Sequence, residues 1–72
     1  MSGLLRKRSF TLSGHRTSIA LEPEFWTVLE DCARGAGLSL AGFVVRIDRD
    51  RGARPLASAL RLAALAAAKT RP

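Results

Sequence analysis

The chain has one cysteine, one histidine and no tyrosine. A single thiol cannot close an intrachain disulfide, and one Cys with one His falls well short of a Cys/His zinc set. No apolar run approaches the ~20 residues a membrane-spanning helix needs, the N-terminal region has no secretory-signal core, and no Gly-rich phosphate loop occurs. An organelle-targeting reading of the acid-free start is set aside because an alternating pattern runs through it. The chain is therefore expected to be cytosolic, with no cofactor and no metal. A core built from only 72 residues yields about 3–5 kcal/mol of net stability without a disulfide, a metal or a partner. Association with a second copy is the stabilising device that remains.

Charge is unevenly spread along the chain. The formal net charge is +6, with +4 over residues 1–21, −3 over residues 22–50, where all six acids lie, and +5 over residues 51–72. Basic ends around an acidic middle suit a polyanion partner, because each neutralised phosphate releases condensed counterions. The plainer reading is a basic tail that keeps the protein in solution. Residues 1–8, with Arg6, Lys7 and Arg8, show no useful periodicity and are expected to be a flexible basic arm preceding one domain at 9–72.

From Ser9 to Leu21 the period is two, interrupted by Ser13-Gly14. Strands at about 9–12 and 15–21 joined by a two-residue turn would pair Leu12 with His15, Thr11 with Arg16 and Phe10 with Thr17. That register sorts Phe10, Leu12, Thr17, Ile19 and Leu21 onto one face and Ser9, Thr11, Arg16, Ser18 and Ala20 onto the other. Ser9–Leu12 has a second reading, as a plain extension of the arm.

Glu22-Pro23-Glu24 opens a helix at about 23–36, with proline where its missing N–H costs nothing and acids at the positive end of the dipole. Phe25, Val28, Leu29, Cys32 and Ala36 form the expected buried stripe, with Trp26 and Ala33 at its margin. Gly35 and Gly37 mark its end. Ser39 caps a second helix at about 39–50, whose stripe is Leu40, Phe43, Val44 and Ile47, and Leu38 is placed to pack back on it. After Gly52–Pro55, a third helix at about 56–69 carries Leu56, Ala59, Leu60, Ala63 and Ala67, widened by Leu62 and Leu65. A helix this apolar must bury itself, against the dimer body or against a partner protein.

Catalysis finds little support. Cys32 lies on an apolar helix face, where a free thiol behaves as a small hydrophobe. His15 has no acidic neighbour to make it a general base and is read as a turn residue or a phosphate contact. Glu22/Glu24 suits a helix start and Asp48/Asp50 a solvated helix end. The expectation is a protein that is not an enzyme.

The run His15-Arg-Thr-Ser-Ile-Ala-Leu-Glu-Pro-Glu-Phe25 followed by Gly37-Leu-Ser-Leu-Ala41 resembles the ribbon-helix-helix family of small DNA-binding dimers. The resemblance covers about Arg16 to Ile47 and extends to a subgroup with a C-terminal helix. It implies an α+β, mostly α, intertwined homodimer in which a strand pairs with its copy, with Ile19 and Leu21 packed on Phe25, Leu29, Phe43, Val44 and Ile47 of both chains. It implies double-stranded DNA as partner, with the ribbon in the major groove and Arg16, Ser18 and Ala20 facing the bases. Ala20 departs from the usual pattern, since it can only touch a thymine methyl. A phosphate clamp is implied at the start of the second helix, at Ser39 and Leu40 with Ala41. Arg6, Lys7, Arg8 and His15 would add phosphate contacts. The function expected is a small transcriptional repressor or other regulator, nucleoid-associated when bound; the alternative is an antitoxin-like or adaptor module whose Leu56–Lys69 helix engages another protein.

Overall fold

The computed structural model describes residues 4–70. A two-stranded antiparallel sheet, β1 (Arg6–Leu12) and β2 (His15–Leu21), is followed by α1 (Pro23–Gly35), α2 (Leu40–Asp50) and α3 (Leu56–Thr70). The order of elements is the expected one, and the fold is mostly helical.

Ser13 and Gly14 form the hairpin turn with φ of +52° and +81°, the double positive φ of a type I′ turn, whose twist matches that of the flanking strands. The register is the one read from the sequence, with Leu12 opposite His15, Thr11 opposite Arg16 and Phe10 opposite Thr17. The pairing continues further than expected, through Arg8–Ile19 and Lys7–Ala20 to Arg6–Leu21. Residues 6–8 are therefore strand and not arm, while residues 1–3 of the expected arm lie outside the described residues. Here β2 takes β1 of its own chain as partner, so the ribbon seen in this protomer is made within one chain.

Phe10, Leu12, Ile19 and Leu21 turn to the helices and join Trp26, Leu29, Val44, Leu60 and Ala64 in one core. The extension of β1 has a specific cause in Trp26. Its indole Nε1–H donates to the Arg6 carbonyl at 2.8 Å, its ring meets Phe10 at 5.9 Å between centroids, and the Arg8 guanidinium lies over it at 5.3 Å. Trp26 is 2% exposed, which corrects its expected place at the margin. The buried row of α1 is Trp26, Leu29 and Ala33, while Phe25, Val28 and Cys32 are half-buried and Ala36 is exposed. At 100° per residue the apolar arc of this helix spans about 160°. Periodicity alone cannot say which part of so wide an arc a single protomer covers, and the tryptophan decides it.

Helix α1 closes with a Schellman arrangement: Leu38 N–H donates to Ala33 O at 2.8 Å and Gly37 N–H to Arg34 O at 3.1 Å, with Gly37 at φ +73°. Ser39 then caps α2, its Oγ accepting the Gly42 N–H at 3.0 Å. Val44 is the fully buried residue of α2, and Leu40, Phe43 and Ile47 are half-buried. Helix α3 packs on α1 and α2 of its own chain through Ala59, Leu60 and Ala64, leaving Leu62 and Leu65 exposed. Arg61 ties it to the start of α1 through Glu22 at 3.0 Å. Arg51 holds the α2–α3 linker, donating to Asp48 and to the Arg54 carbonyl, each at 2.7 Å.

No heavy atom lies within 4 Å of the Cβ that a side chain would add at Gly14, so the cost of substitution there is conformational. Gly14→Val is expected to lower stability by about 1–2 kcal/mol, seen as a lower urea midpoint at unchanged slope.

The Glu22 carboxyl is held below its ordinary range. A hydrogen bond from its own backbone N–H is the largest cause, partial desolvation opposes it, and Arg61 adds a hydrogen bond and charge in the downward direction. A carboxyl whose folded pKa is depressed stabilises the fold above the unfolded value, about 4.3, and that contribution is lost as pH falls through the folded value. Glu22→Gln is therefore expected to lower stability at neutral pH and to flatten the loss of stability below about pH 4.3, measured by urea unfolding from pH 7 down to pH 3.

Candidate nucleic-acid interface

Because side chains alternate along a strand, cross-strand partners share a face. The register places Lys7, Ser9 and Thr11 of β1 beside Ala20, Ser18 and Arg16 of β2 on the sheet face turned away from the helices. All six are exposed except Ala20, which is partly so. Arg16, Ser18 and Ala20 thus share one face, as expected from the sequence. Ser9 Oγ and Ser18 Oγ lie 2.9 Å apart in a cross-strand hydrogen bond at its centre. Neither Lys7 nor Arg16 makes an ion pair among the described residues.

The other row carries Arg6, Arg8 and His15 with the core residues. Arg8 bonds Glu30 at 2.9 Å, so its charge is neutralised where it leaves the sheet. The Arg6 carbonyl accepts the indole of Trp26. His15 is exposed beside the hairpin turn. Of the three adjacent cations that the sequence groups together, only Lys7 belongs to the outer face. A groove of about 300 Å³ runs between the start of β1 and α1, lined by Arg6, Lys7, Arg8, Trp26 and Glu30 among others.

Ser39 and Leu40 lie elsewhere, at the turn from α1 into α2. The Ser39 hydroxyl is occupied by its cap bond to Gly42, and Leu40 is half-buried against the core. The backbone N–H groups of Leu40 and Ala41 have no acceptor among the described residues, as at the first turn of any helix. No hydrogen bond or ion pair joins this turn to the sheet among the described residues.

Sequence reading missed the partner of Arg8 and placed Lys7, already read as a phosphate contact, on an arm rather than on the outer sheet face. Glu30 has no local signal pointing to Arg8, since the two are brought together only by the fold. Lys7 was legible in principle: counting the apolar stems of arginine as able to cover a ring extends the alternation back to Arg6.

A family model described as the ribbon-helix-helix domain matches residues 5–68, from just before β1 almost to the end of α3. The chain belongs to the ribbon-helix-helix family. No curated protein and no solved structure matches it. The match widens the resemblance read on Arg16–Ile47, so that β1 and α3 both fall inside the ribbon-helix-helix domain. Such domains are a non-enzymatic DNA-binding fold, act as transcription regulators or antitoxins, and dimerise. Among the described residues no helix is long and apolar enough to cross a membrane, and no three His, Cys, Asp or Glu side chains group as metal ligands.

Proposed function

We propose that this chain binds double-stranded DNA with sequence preference, as a homodimer that regulates transcription in the cytoplasm. The observation that carries the reading is the outer sheet face: a two-stranded antiparallel ribbon with two unneutralised cations and hydroxyls between them, on a protein of net charge +6. A two-stranded ribbon fits a B-DNA major groove. Arg16 is suited to bidentate contact with guanine, Ser18 to a bond with more than one base, and Ala20 to a thymine methyl. Arg6, Lys7 and His15 with the free N–H groups at the Ser39–Leu40 turn are suited to phosphates, which position the protein on the duplex. Arg8 contributes less because Glu30 already balances it.

Dimerisation is supported by what the protomer leaves half-covered. In α1 the flank of Phe25, Val28 and Cys32, and in α2 that of Leu40, Phe43 and Ile47, remain half-buried. A second copy that covers such apolar flanks adds stability that a domain of this size otherwise lacks.

Fluorescence anisotropy against random and genomic duplexes at two salt concentrations tests the reading, on protein whose mass has been measured by light scattering. Twice the mass of the 7.7 kDa chain is expected, with affinity falling steeply as salt rises. Arg16→Ala with Ser18→Ala should keep helicity and dimer mass while preference among sequences drops by about 1–3 kcal/mol per lost contact. Preference that survives this change removes the ribbon as reader.

A second reading rests on α3, where Leu62 and Leu65 are 44% and 48% exposed. Leu62 lines a groove of about 530 Å³ with Arg46, Asp50 and Arg54, a surface suited to a protein partner, as in an antitoxin-like or adaptor role. Leu65→Asp should leave the fold and dimer intact, whereas Leu60→Asp, at a fully buried site, should unfold the chain. DNA binding unchanged by Leu65→Asp, with loss of a co-purifying protein, favours this second role.

A further inference from the structure

The corner where α2 gives way to α3 leaves a groove of about 530 Å³ that joins apolar side chains to charged ones. Ile47 of α2 and Ala59, Leu62 and Ala63 of α3 supply the apolar lining, and Arg46, Asp50 and Arg54 border it. Leu62 is 44% exposed, so the groove is open along this side. Small-molecule sites bury most of their ligand's surface, whereas an open groove between two helices takes a segment of chain. On α3 the same side continues one turn further through Leu65 and Ala66, both exposed. From Ala59 to Ala66 that is about two turns, roughly 11 Å at 1.5 Å per residue.

Charge decides what kind of segment fits. Arg46 and Arg54 are exposed, and neither guanidinium makes an ion pair or hydrogen bond among the described residues. Arg51 also borders the groove but is balanced by Asp48. Two free cations therefore face one acid, Asp50. A second copy of this chain has little to offer them, because four of its six acids pair internally and only Glu24 and Asp50 stay outside such pairs. Two copies meeting through the same patch would set these arginines against their own counterparts, and like charges in an interface cost affinity. A DNA duplex makes no use of an apolar lining, and a flat lipid surface does not reach into a recess. The occupant that matches both features is a protein segment with acidic and apolar side chains.

We propose that the α2–α3 groove binds a short helical segment of another protein, mainly acidic, with apolar anchors at i and i+3 or i+4. This rests on the protein-partner reading of α3 given above. The anchors pack on Ile47, Leu62 and Ala63, where apolar surface leaving water supplies affinity. Carboxylates on the flanks of the segment meet Arg46 and Arg54 and set the preference for acidic over basic partners. The alanines on this side of α3 let the backbone of the segment come close. No lining residue belongs to the sheet, so the face proposed for DNA stays open while the groove is filled.

The test uses the full chain and three fluorescently labelled synthetic helices of about four turns each. One is built from Glu, Ala and Leu with Leu at helical spacing, one has Lys in place of every Glu, and one keeps the first composition with its Leu residues scattered around the helix. Anisotropy is expected to show the first bound at least about 10-fold more tightly than either of the others. Leu62→Asp should remove that binding, and Arg46→Glu with Arg54→Glu should reverse the charge preference toward the Lys helix. Circular dichroism and light scattering should show the fold and mass of the wild type in each variant. A change of dimer mass in Leu62→Asp overturns the proposal, because a second copy then covers the groove. Equal binding of the Glu and Lys helices, or an acidic preference that survives the double reversal, overturns it too. Displacement of the bound Glu helix by duplex DNA or by phosphatidylserine vesicles does the same, since the groove is then a general anion surface. If the wild type binds none of the helices the groove assignment falls, and a co-purifying protein lost from Leu65→Asp leaves the broader partner reading standing. No helix bound and no such protein removes both.

Discussion

The placement of Trp26 organises this protomer. Its indole N–H meets the first residue of β1, Phe10 lies beside the ring and Arg8 over it, so one side chain joins sheet and first helix at the edge of the core. A buried indole without an acceptor would carry a desolvation penalty of about 1–3 kcal/mol, and the Arg6 carbonyl removes it. The same contact fixes the rotation of α1 and the parity of β1. With that parity set, Arg6 and Arg8 belong to the helix side of the sheet and Lys7 to the other.

The charge distribution follows from this arrangement. Six of the protein's twelve cations lie outside residues 1–21 and 69–72, and three of these sit beside acids: Arg34 with Asp31, Arg51 with Asp48, and Arg61 with Glu22. Surface pairs of this kind contribute about 0–1 kcal/mol each, so their larger effect is on the field around the molecule. The helical side is locally balanced at these points, while Lys7 and Arg16 keep their charge on the open sheet face. A polyanion approaching the protein therefore meets uncompensated charge on that face.

Much of the fold was legible because local signals agreed with one another. Ser13-Gly14, the alternation around it, Pro23, Gly37 and Ser39 each select one backbone geometry, and the structure uses all of them. The candidate reading face followed from the same alternation, which is why Arg16, Ser18 and Ala20 share a side. The rotation of α1 and the true start of β1 were not legible, because both depend on contacts between distant residues. A wide apolar arc at Phe25–Ala33 offers several equivalent faces, and arginines at alternate positions look like a solvated arm unless a ring is known to lie beneath them. The Arg8–Glu30 and Arg61–Glu22 pairs, 22 and 39 residues apart in sequence, have no local signature at all.

The clasp made by Arg51 bears on how copies of this chain can assemble. By holding Asp48 on one side and the Arg54 carbonyl on the other, it folds the short connection after α2 back on itself, with Gly52 at φ +60° completing the bend. Exchange of α3 between two molecules would require this connection to straighten and give up both bonds, while the Glu22–Arg61 tie would re-form between the copies. The bent connection thereby favours the third helix packing on its own chain, as the structure shows it.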